Sequence, residues 1–371
     1  MRRIGRNLAA GPFFTLAFVA LVIASLALTR DYAVPIALAA LVWFLLNGVA
    51  DALRNALGPR LPRRVAQLVS AAILFSLMIG AGKVVVTNLG ELTSGLSVDD
   101  SPLLAGLRTA LDRLGLDGVL TREALLERFA VEDMLAYALG VARGFVSDVS
   151  LVFLYTMFLL IDERFYGAKM RALFPDAARR RRIEATLAEI AGETRVYLWL
   201  MTLVSAGVGG ATFLACWTAG VAGAGFWGFL AFGLNYIPTI GSILGVALPG
   251  VFAILTLGDP VTLLVLLAAL GAVQFVAGEI VVPRIMGESL NLSSTVILLT
   301  LVVWGAVWGP AGMFLAIPIT VILVMIFAKF ETTRPVAVIL SKTGEVPEPD
   351  PPLRPRPGAA APQAPSPQPG E

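Results

Sequence analysis

The sequence predicts an all-α polytopic membrane protein, and three observations carry that prediction. Apolar residues make up 57% of the chain and charged residues 15%, where a soluble domain holds about a quarter charged residues. The apolar residues fall in long blocks rather than alternating patterns, and a helix of about 20 residues is what crosses ~30 Å of hydrocarbon. Lysine and arginine crowd into some of the intervening segments and are sparse in others, as the positive-inside bias of membrane proteins requires.

About eight hydrophobic segments follow one another. Five unbroken blocks lie near 13–29, 33–50, 65–88, 144–161 and 196–219, and a broken block spans 224–257. An intact block covers 261–282, and a second broken one covers 295–328. Arg30 and Asp31 mark a tight turn between the first two. The basic head and apolar body of the N-terminus resemble a signal peptide, but the next apolar run begins at Val34, so the first block is expected to be retained as a helix of the bundle.

Charge sets the expected orientation. Arg2, Arg3 and Arg6, then Arg54, Arg60, Arg63 and Arg64, then Arg164, Lys169, Arg171, Arg179–Arg182 and Arg195 belong on the cytoplasmic side. In segment 89–143 acids outnumber bases nine to five, which places it outside. There, Ser101-Pro102 opens an amphipathic helix and Thr121 a second, with Leu125, Leu126 and Phe129 inward. The expected organisation is one transmembrane domain over 1–342, with 89–143 outside, 162–195 inside and a broken-helix core at 224–328. A Pro-rich disordered tail over 343–371 holds ten of the 23 prolines. Both termini are expected in the cytoplasm. Within 176–195, a basic helix continues into the fifth span, with Arg180–Glu184 as an i,i+4 pair and Ile183, Leu187 and Ile190 on one stripe. The run Arg179–Arg182 serves either anionic lipid headgroups or orientation alone.

Composition excludes much chemistry. The chain has no histidine, which removes Ser-His-Asp triads, Cys-His dyads and histidine metal ligands. Its single cysteine, Cys216, lies in an apolar run, so neither a disulfide framework nor a cysteine metal site is expected. No GxxxxGK[ST] motif occurs, so ATP is not expected to act on it directly. A net charge of +2 gives no pointer to nucleic acid. The expectation is a chain without enzymatic activity, cofactor or metal, whose partners are membrane lipids, a small solute and further copies of itself.

The broken blocks hold the candidate functional residues. In GLNYIPTIGSILGVALPG, residues 233–250, helix breakers stand where a plain anchor needs none. A break is expected around Asn235–Gly241, with Asn235, Pro238 and Gly241 lining a route by freed backbone groups. The second block is expected to break across GAVWGPAG, residues 305–312, with Gly309 and Gly312 in the break and Pro318 beyond it. Non-helical backbone at membrane depth survives only where it is buried in protein or lines a wet cavity. Paired interruptions of this kind point to a transporter's binding region; the competing reading is two merely kinked helices. Between them, Gln274 and Glu279 lie in or near the seventh span, with Arg284 at its end. An ionisable group at the centre of a span costs about 2.5–3.5 kcal/mol on insertion scales, which makes Glu279 a candidate coupling site for a cation or proton. The alternative is a hydrated Glu279 paired with Arg284. Small residues four apart, Gly220/Ala224/Gly228, Ser205/Gly209 and Ala206/Gly210, mark packing seams within the bundle or between subunits.

This ordered set resembles the autoinducer-2 exporter family of bacterial membrane proteins. The likeness rests on Asn235-Tyr236-Ile237-Pro238 with Gly241 and Pro249, and on Gln274 and Glu279 followed by Pro283-Arg284-Ile285-Met286-Gly287. Gly309, Gly312-Met313 and Ala316-Ile317-Pro318 complete it. It covers roughly residues 10–335. Two departures stand out: Asn291-Leu292-Ser293-Ser294 replaces a frequent proline, and Trp199-Leu200-Met201 replaces a frequent Gly-Gln pair. The resemblance implies export of a small polar signalling molecule across the bacterial inner membrane, coupled to protons or sodium. A cation/proton antiporter and a membrane scaffold are the alternatives.

Overall fold

The computed structural model describes residues 17–58, 60–95, 140, 149–286 and 292–346. The expectations for the N-terminal head, for most of 89–143, for Gly287 and Asn291, and for the tail beyond 346 lie outside them. The described chain is all α-helix apart from turns and one isolated bridge between Leu292 and Ser341.

Helix α1, Ala17–Leu28, and α2, Arg30–Leu57, meet at Thr29, whose carbonyl accepts from the amides of Tyr32 and Ala33. Helix α3 spans Arg63–Gly95 and α4 covers 149–163. Five helices among the described residues are long and apolar enough to cross a bilayer: α2, α3, α6, α9 and α10, the last three introduced below. With the shorter apolar helices, this makes a multi-pass membrane protein.

Helices α2, α3 and α4 are clamped together by one carboxylate. Glu163 accepts from Trp43 Nε1 at 3.2 Å, Gln67 Nε2 at 3.0 Å and Arg63 Nη2 at 2.9 Å, and Gln67 also donates to Asn47 Oδ1 at 2.9 Å. Arg195 pairs with Asp51 at 2.7 Å and brings the next long helix onto α2.

After the short helix α5, Tyr166–Leu173, α6 runs unbroken from Ala177 to Thr218, 42 residues or about 63 Å. That is twice the hydrocarbon thickness, so the basic amphipathic segment and the apolar block form one rod, as the sequence predicts. Asp176 caps it by accepting from the Ala178 amide. Arg180 and Glu184 stand 4.0 Å apart and Ile190 is buried, but Leu187 is exposed, so the expected stripe is incomplete.

The first broken block forms α7, Ala224–Leu234, and α8, Ile240–Thr256. The Trp227 and Phe252 rings stand 5.3 Å apart; a straight helix would separate those positions by about 37 Å. The chain therefore reverses at 235–239 and the block is a helical hairpin. Its base packs with Val85, Cys216, Leu266 and Leu270.

Helix α9 runs Pro260–Phe275, widens into a π turn at Val276–Val281 and closes over Val282–Met286. Asp259 caps it, accepting from the Val261 and Thr262 amides.

The second broken block, α10, spans Ser294–Lys329 and is folded at Gly309, whose φ of 66° and ψ of −147° are not helical. A Cβ on Gly305 would meet Met313 Cε at 2.8 Å, a contact that only a reversed chain makes. This too is a hairpin. Its base is closed where the Ser293 amide donates to the Leu340 carbonyl at the end of α11, Arg334–Leu340. The expected break over 305–312 thus narrows to Gly309: the chain stays helical through Trp308 and turns on one residue.

Candidate functional site

The two hairpins meet each other in the middle of the bundle. At the tip of the first, Tyr236 is buried against Phe314 with ring centroids 4.4 Å apart, and Ile237 joins a cluster with Leu301 and Ala316 of the second. The tip also rests on α6. Asn235 Nδ2 donates to Ser205 Oγ at 2.9 Å, and the Tyr236 hydroxyl lies 2.7 Å from Thr202 Oγ1.

One steric device makes both reversals. A Cβ on Gly241 would overlap the Leu234 carbonyl oxygen, and a Cβ on Gly312 would overlap that of Trp304. In each hairpin, a carbonyl near the end of the first arm sits against a glycine near the start of the second. Gly309 acts differently, since nothing lies within 4 Å of the place its Cβ would occupy. Its φ/ψ falls near a region open essentially to glycine alone. The second tip is placed by Trp308, whose indole donates to the Leu26 carbonyl at 3.0 Å, at the far end of α1.

The tip backbone of the first hairpin is bonded locally. The amides of Asn235, Tyr236, Ile237 and Gly241 donate to the carbonyls of Ala231, Gly233, Leu234 and Ile237. Ile240 donates to Pro238 O at 2.7 Å, closing a γ-turn on Thr239, whose φ is 65° and ψ −59°. Pro238 is half-buried and Thr239 exposed. Pro318 is buried inside the second arm of α10, four residues past Phe314.

Gln274 is on α9, 8% exposed, and its Oε1 is buried without a hydrogen-bond partner among the described residues. A Cβ on Gly245 of α8 would meet its Nε2 at 2.6 Å, so a glycine makes room for the amide. Glu279 lies in the π turn and is exposed, as is Arg284, and no ion pair joins them among the described residues. π turns occur often at functional sites. Ala277, two residues before Glu279, packs with Val204 and Val208 of α6 and Ala231 of α7. Glu279 is therefore close in level to the Asn235–Ser205 contact at the first tip.

The structure brings Asn235, Pro238 and Gly241 together at one tip and Gly309 and Gly312 at the other, and it holds Gln274 against the first hairpin. Three features have no sequence signal of their own: the strained Thr239, the Tyr236–Thr202 contact and the Gln274–Gly245 approach. The seam at Gly209 and Gly228 forms as expected, a Cβ on either meeting the other's carbonyl oxygen within 2.8 Å. Gly220, in contrast, lies in the turn between α6 and α7 with φ 74°, and open space surrounds Gly210. Trp199, one of the departures from the family pattern, fills the space that Gly48 leaves on α2.

Comparison with known proteins shows the family of this chain. Residues 16–331 match the model of the AI-2E family transporter family. The AI-2 transport protein TqsA of Escherichia coli (strain K12) is 30% identical over 286 residues, covering 75% of this chain and 82% of TqsA. A Haemophilus influenzae protein with a provisional transport designation is 26% identical over 333 residues, covering 88% of this chain and 94% of its own. YhhT of Escherichia coli (strain K12) is 30% identical over 210 residues, 54% of this chain and 57% of YhhT. With its two facing hairpins inside the matched region, this chain belongs to the AI-2E family of transporters.

Proposed function

We propose that the protein is a secondary transporter exporting a small polar solute, an autoinducer-like signalling molecule, across the bacterial inner membrane. One observation carries the reading: two helical hairpins approach from opposite ends of the bundle and touch, Tyr236 on Phe314 and Ile237 beside Leu301. Broken helices facing each other near mid-membrane are how secondary transporters build a solute site. The relative TqsA, an AI-2 transport protein by name, supports AI-2 as the first solute to test.

With the N-terminus in the cytoplasm, α6 runs outward, the first hairpin enters from outside and α9 returns inward. The second hairpin then enters from inside, and the tail stays in the cytoplasm. This path puts Arg284 on the same side as Arg179–Arg182, in keeping with the positive-inside bias. Coupling is to protons or sodium, with Glu279 as the group that exchanges the ion and Arg284 at the cytoplasmic mouth. Asn235, Pro238, Gly241, Gln274, Gly309, Gly312 and Pro318 belong to the route.

A cation/proton antiporter would need carboxylates along its path, yet the buried polar residues described include no Asp or Glu. A scaffold would have no use for the hairpins' facing tips. Solute transport is the better supported reading.

The test is AI-2 movement in proteoliposomes under an imposed pH or sodium gradient. The wild-type protein should accumulate AI-2 against its gradient, and Glu279→Gln should abolish accumulation while leaving exchange at equal concentrations. Full gradient-driven accumulation by Glu279→Gln would refute the coupling role. Failure of the wild-type protein to move AI-2 under either gradient would refute the choice of solute.

A further inference from the structure

Buried polar side-chain atoms nearly always have a hydrogen-bond partner, so each exception needs a physical account. Two exceptions lie at one level of the bundle core. Gln274 Oε1 on α9 and Thr212 Oγ1 on α6 are both buried and both without a partner among the described residues. Gln274 is 8% exposed and Thr212 is 1% exposed.

Register puts them at one level. Helices α6 and α9 run antiparallel: Val204 and Val208 pack with Ala277 and Val281, whereas Cys216, further along α6, packs with Leu266 and Leu270, earlier on α9. Thr212 stands one turn beyond Val208 toward Cys216, and Gln274 stands about one turn from Ala277 toward Leu270. Both unsatisfied atoms therefore lie one turn to the same side of the Val208–Ala277 contact. The third wall is α8, where Gly245 leaves the space that the Gln274 amide enters.

We propose that Gln274 and Thr212 form a binding site for a small, neutral, hydroxyl-bearing molecule held between α6, α8 and α9. This deepens the transport reading above and rests on it for the solute's path. The chemistry selects the ligand class. An amide oxygen accepts only, and a threonine hydroxyl both gives and accepts, so the pair complements a C–OH group. No carboxylate, lysine or arginine is among the buried polar residues described, so a charged solute would find no counter-charge. A hard cation takes six or more oxygens, and the two atoms here do not approach that number.

The test uses Thr212→Val and Gln274→Met, which keep shape and remove the polar atoms, with Gly245→Ala as a third variant that crowds the amide. Thermal unfolding in detergent is followed without ligand, then with AI-2, glycerol, erythritol or ribose as probes, and with sodium chloride against potassium chloride. Without ligand, Thr212→Val and Gln274→Met should melt at or above the wild-type temperature, because each removes a buried group that lacks a partner. At least one hydroxylated probe should raise the wild-type melting temperature, and that shift should vanish in all three variants. A lower melting temperature for both isosteric variants would show that the groups are satisfied internally and overturn the proposal. So would a probe shift that survives in them, a wild-type protein that no hydroxylated probe stabilises, or a sodium-specific shift that these variants abolish. A wild-type protein that is stabilised by a polyol yet transports none would refute the transport reading and leave the site standing.

Discussion

Replacing Thr239 by glycine should stabilise the protein. Thr239 closes the first hairpin with φ 65° and ψ −59°, the one non-glycine positive φ among the described residues. A γ-turn of this hand is rare and strained, and a β-branched residue makes it a conformational outlier. Such a residue carries about 1–3 kcal/mol of strain, held in place by its surroundings. Here the surroundings are firm, since Tyr236 and Ile237 are buried against the second hairpin. The Thr239 side chain is exposed and makes no capping hydrogen bond, so little contact is lost with it. Glycine adds back roughly 0.5–1 kcal/mol in conformational entropy, which leaves a net gain of up to about 2.5 kcal/mol. Alanine keeps the Cβ and most of the strain, so Thr239→Ala should stay near wild type. Unfolding titrations in mixed micelles of dodecyl maltoside and sodium dodecyl sulfate measure both. A Thr239→Gly variant no more stable than Thr239→Ala would show that the tip is not strained.

Three glycines should respond in an order set by space and backbone conformation. Gly241→Ala and Gly312→Ala drive a methyl into a carbonyl oxygen, and each should cost at least about 3 kcal/mol or prevent folding. Gly309→Ala meets no atom and suffers only its φ/ψ, about 1–3 kcal/mol, so the residue at the turn should be the more tolerant one in the same titrations. Glu193, beside the ion pair of Lys329 with Glu189 at 3.1 Å, has its pKa raised from 4.5 by partial desolvation and by Glu189, with Lys329 opposing. Below pH 4.5 the carboxyl is protonated folded or unfolded and contributes nothing. As pH rises above that value the unfolded chain ionises first, so native stability falls until the raised native pKa is passed. Glu193→Gln should therefore match wild type at pH 4 and melt higher at pH 8; equal melting at both would refute the assignment.

The helices were legible because hydrophobic block length is a direct reading of span length, and the α6 rod because its basic stripe continues in helical phase into an apolar block. Placing the break at Asn235–Gly241 worked because Asn, Pro and Gly fall close together there. The second break is read too broadly for a physical reason. Gly305, Gly309, Pro310 and Gly312 look equally disruptive in sequence, yet one supplies a positive φ and two supply room for a neighbouring arm. Glycine's two uses, freedom and smallness, have the same letter. Thr239 carried no signal because its strain is imposed by neighbours rather than preferred by the residue. Gln274 is legible as a polar residue in a span, but the room its amide nitrogen occupies depends on Gly245, 29 positions earlier.

The arrangement of the hairpins answers why a membrane chain interrupts itself twice. A broken backbone in hydrocarbon is tolerated only where protein or water surrounds it. The first hairpin has its base beside Cys216 and its tip at Thr202–Ser205, whereas the second has its base near the Lys329–Glu189 pair and its tip at Leu26. Entering from opposite ends, they overlap at Tyr236–Phe314, so the arm of the second buries the tip of the first. Neither interruption faces lipid alone at that contact. The amides at the first tip are bonded locally, so what the break contributes there is side chains at mid-bundle depth: Asn235 on Ser205, and Tyr236 on Thr202. The reversal is thus a way of delivering polar side chains to the centre of an apolar bundle while most tip amides are bonded locally, which a straight span carrying the same residues achieves only on its own surface.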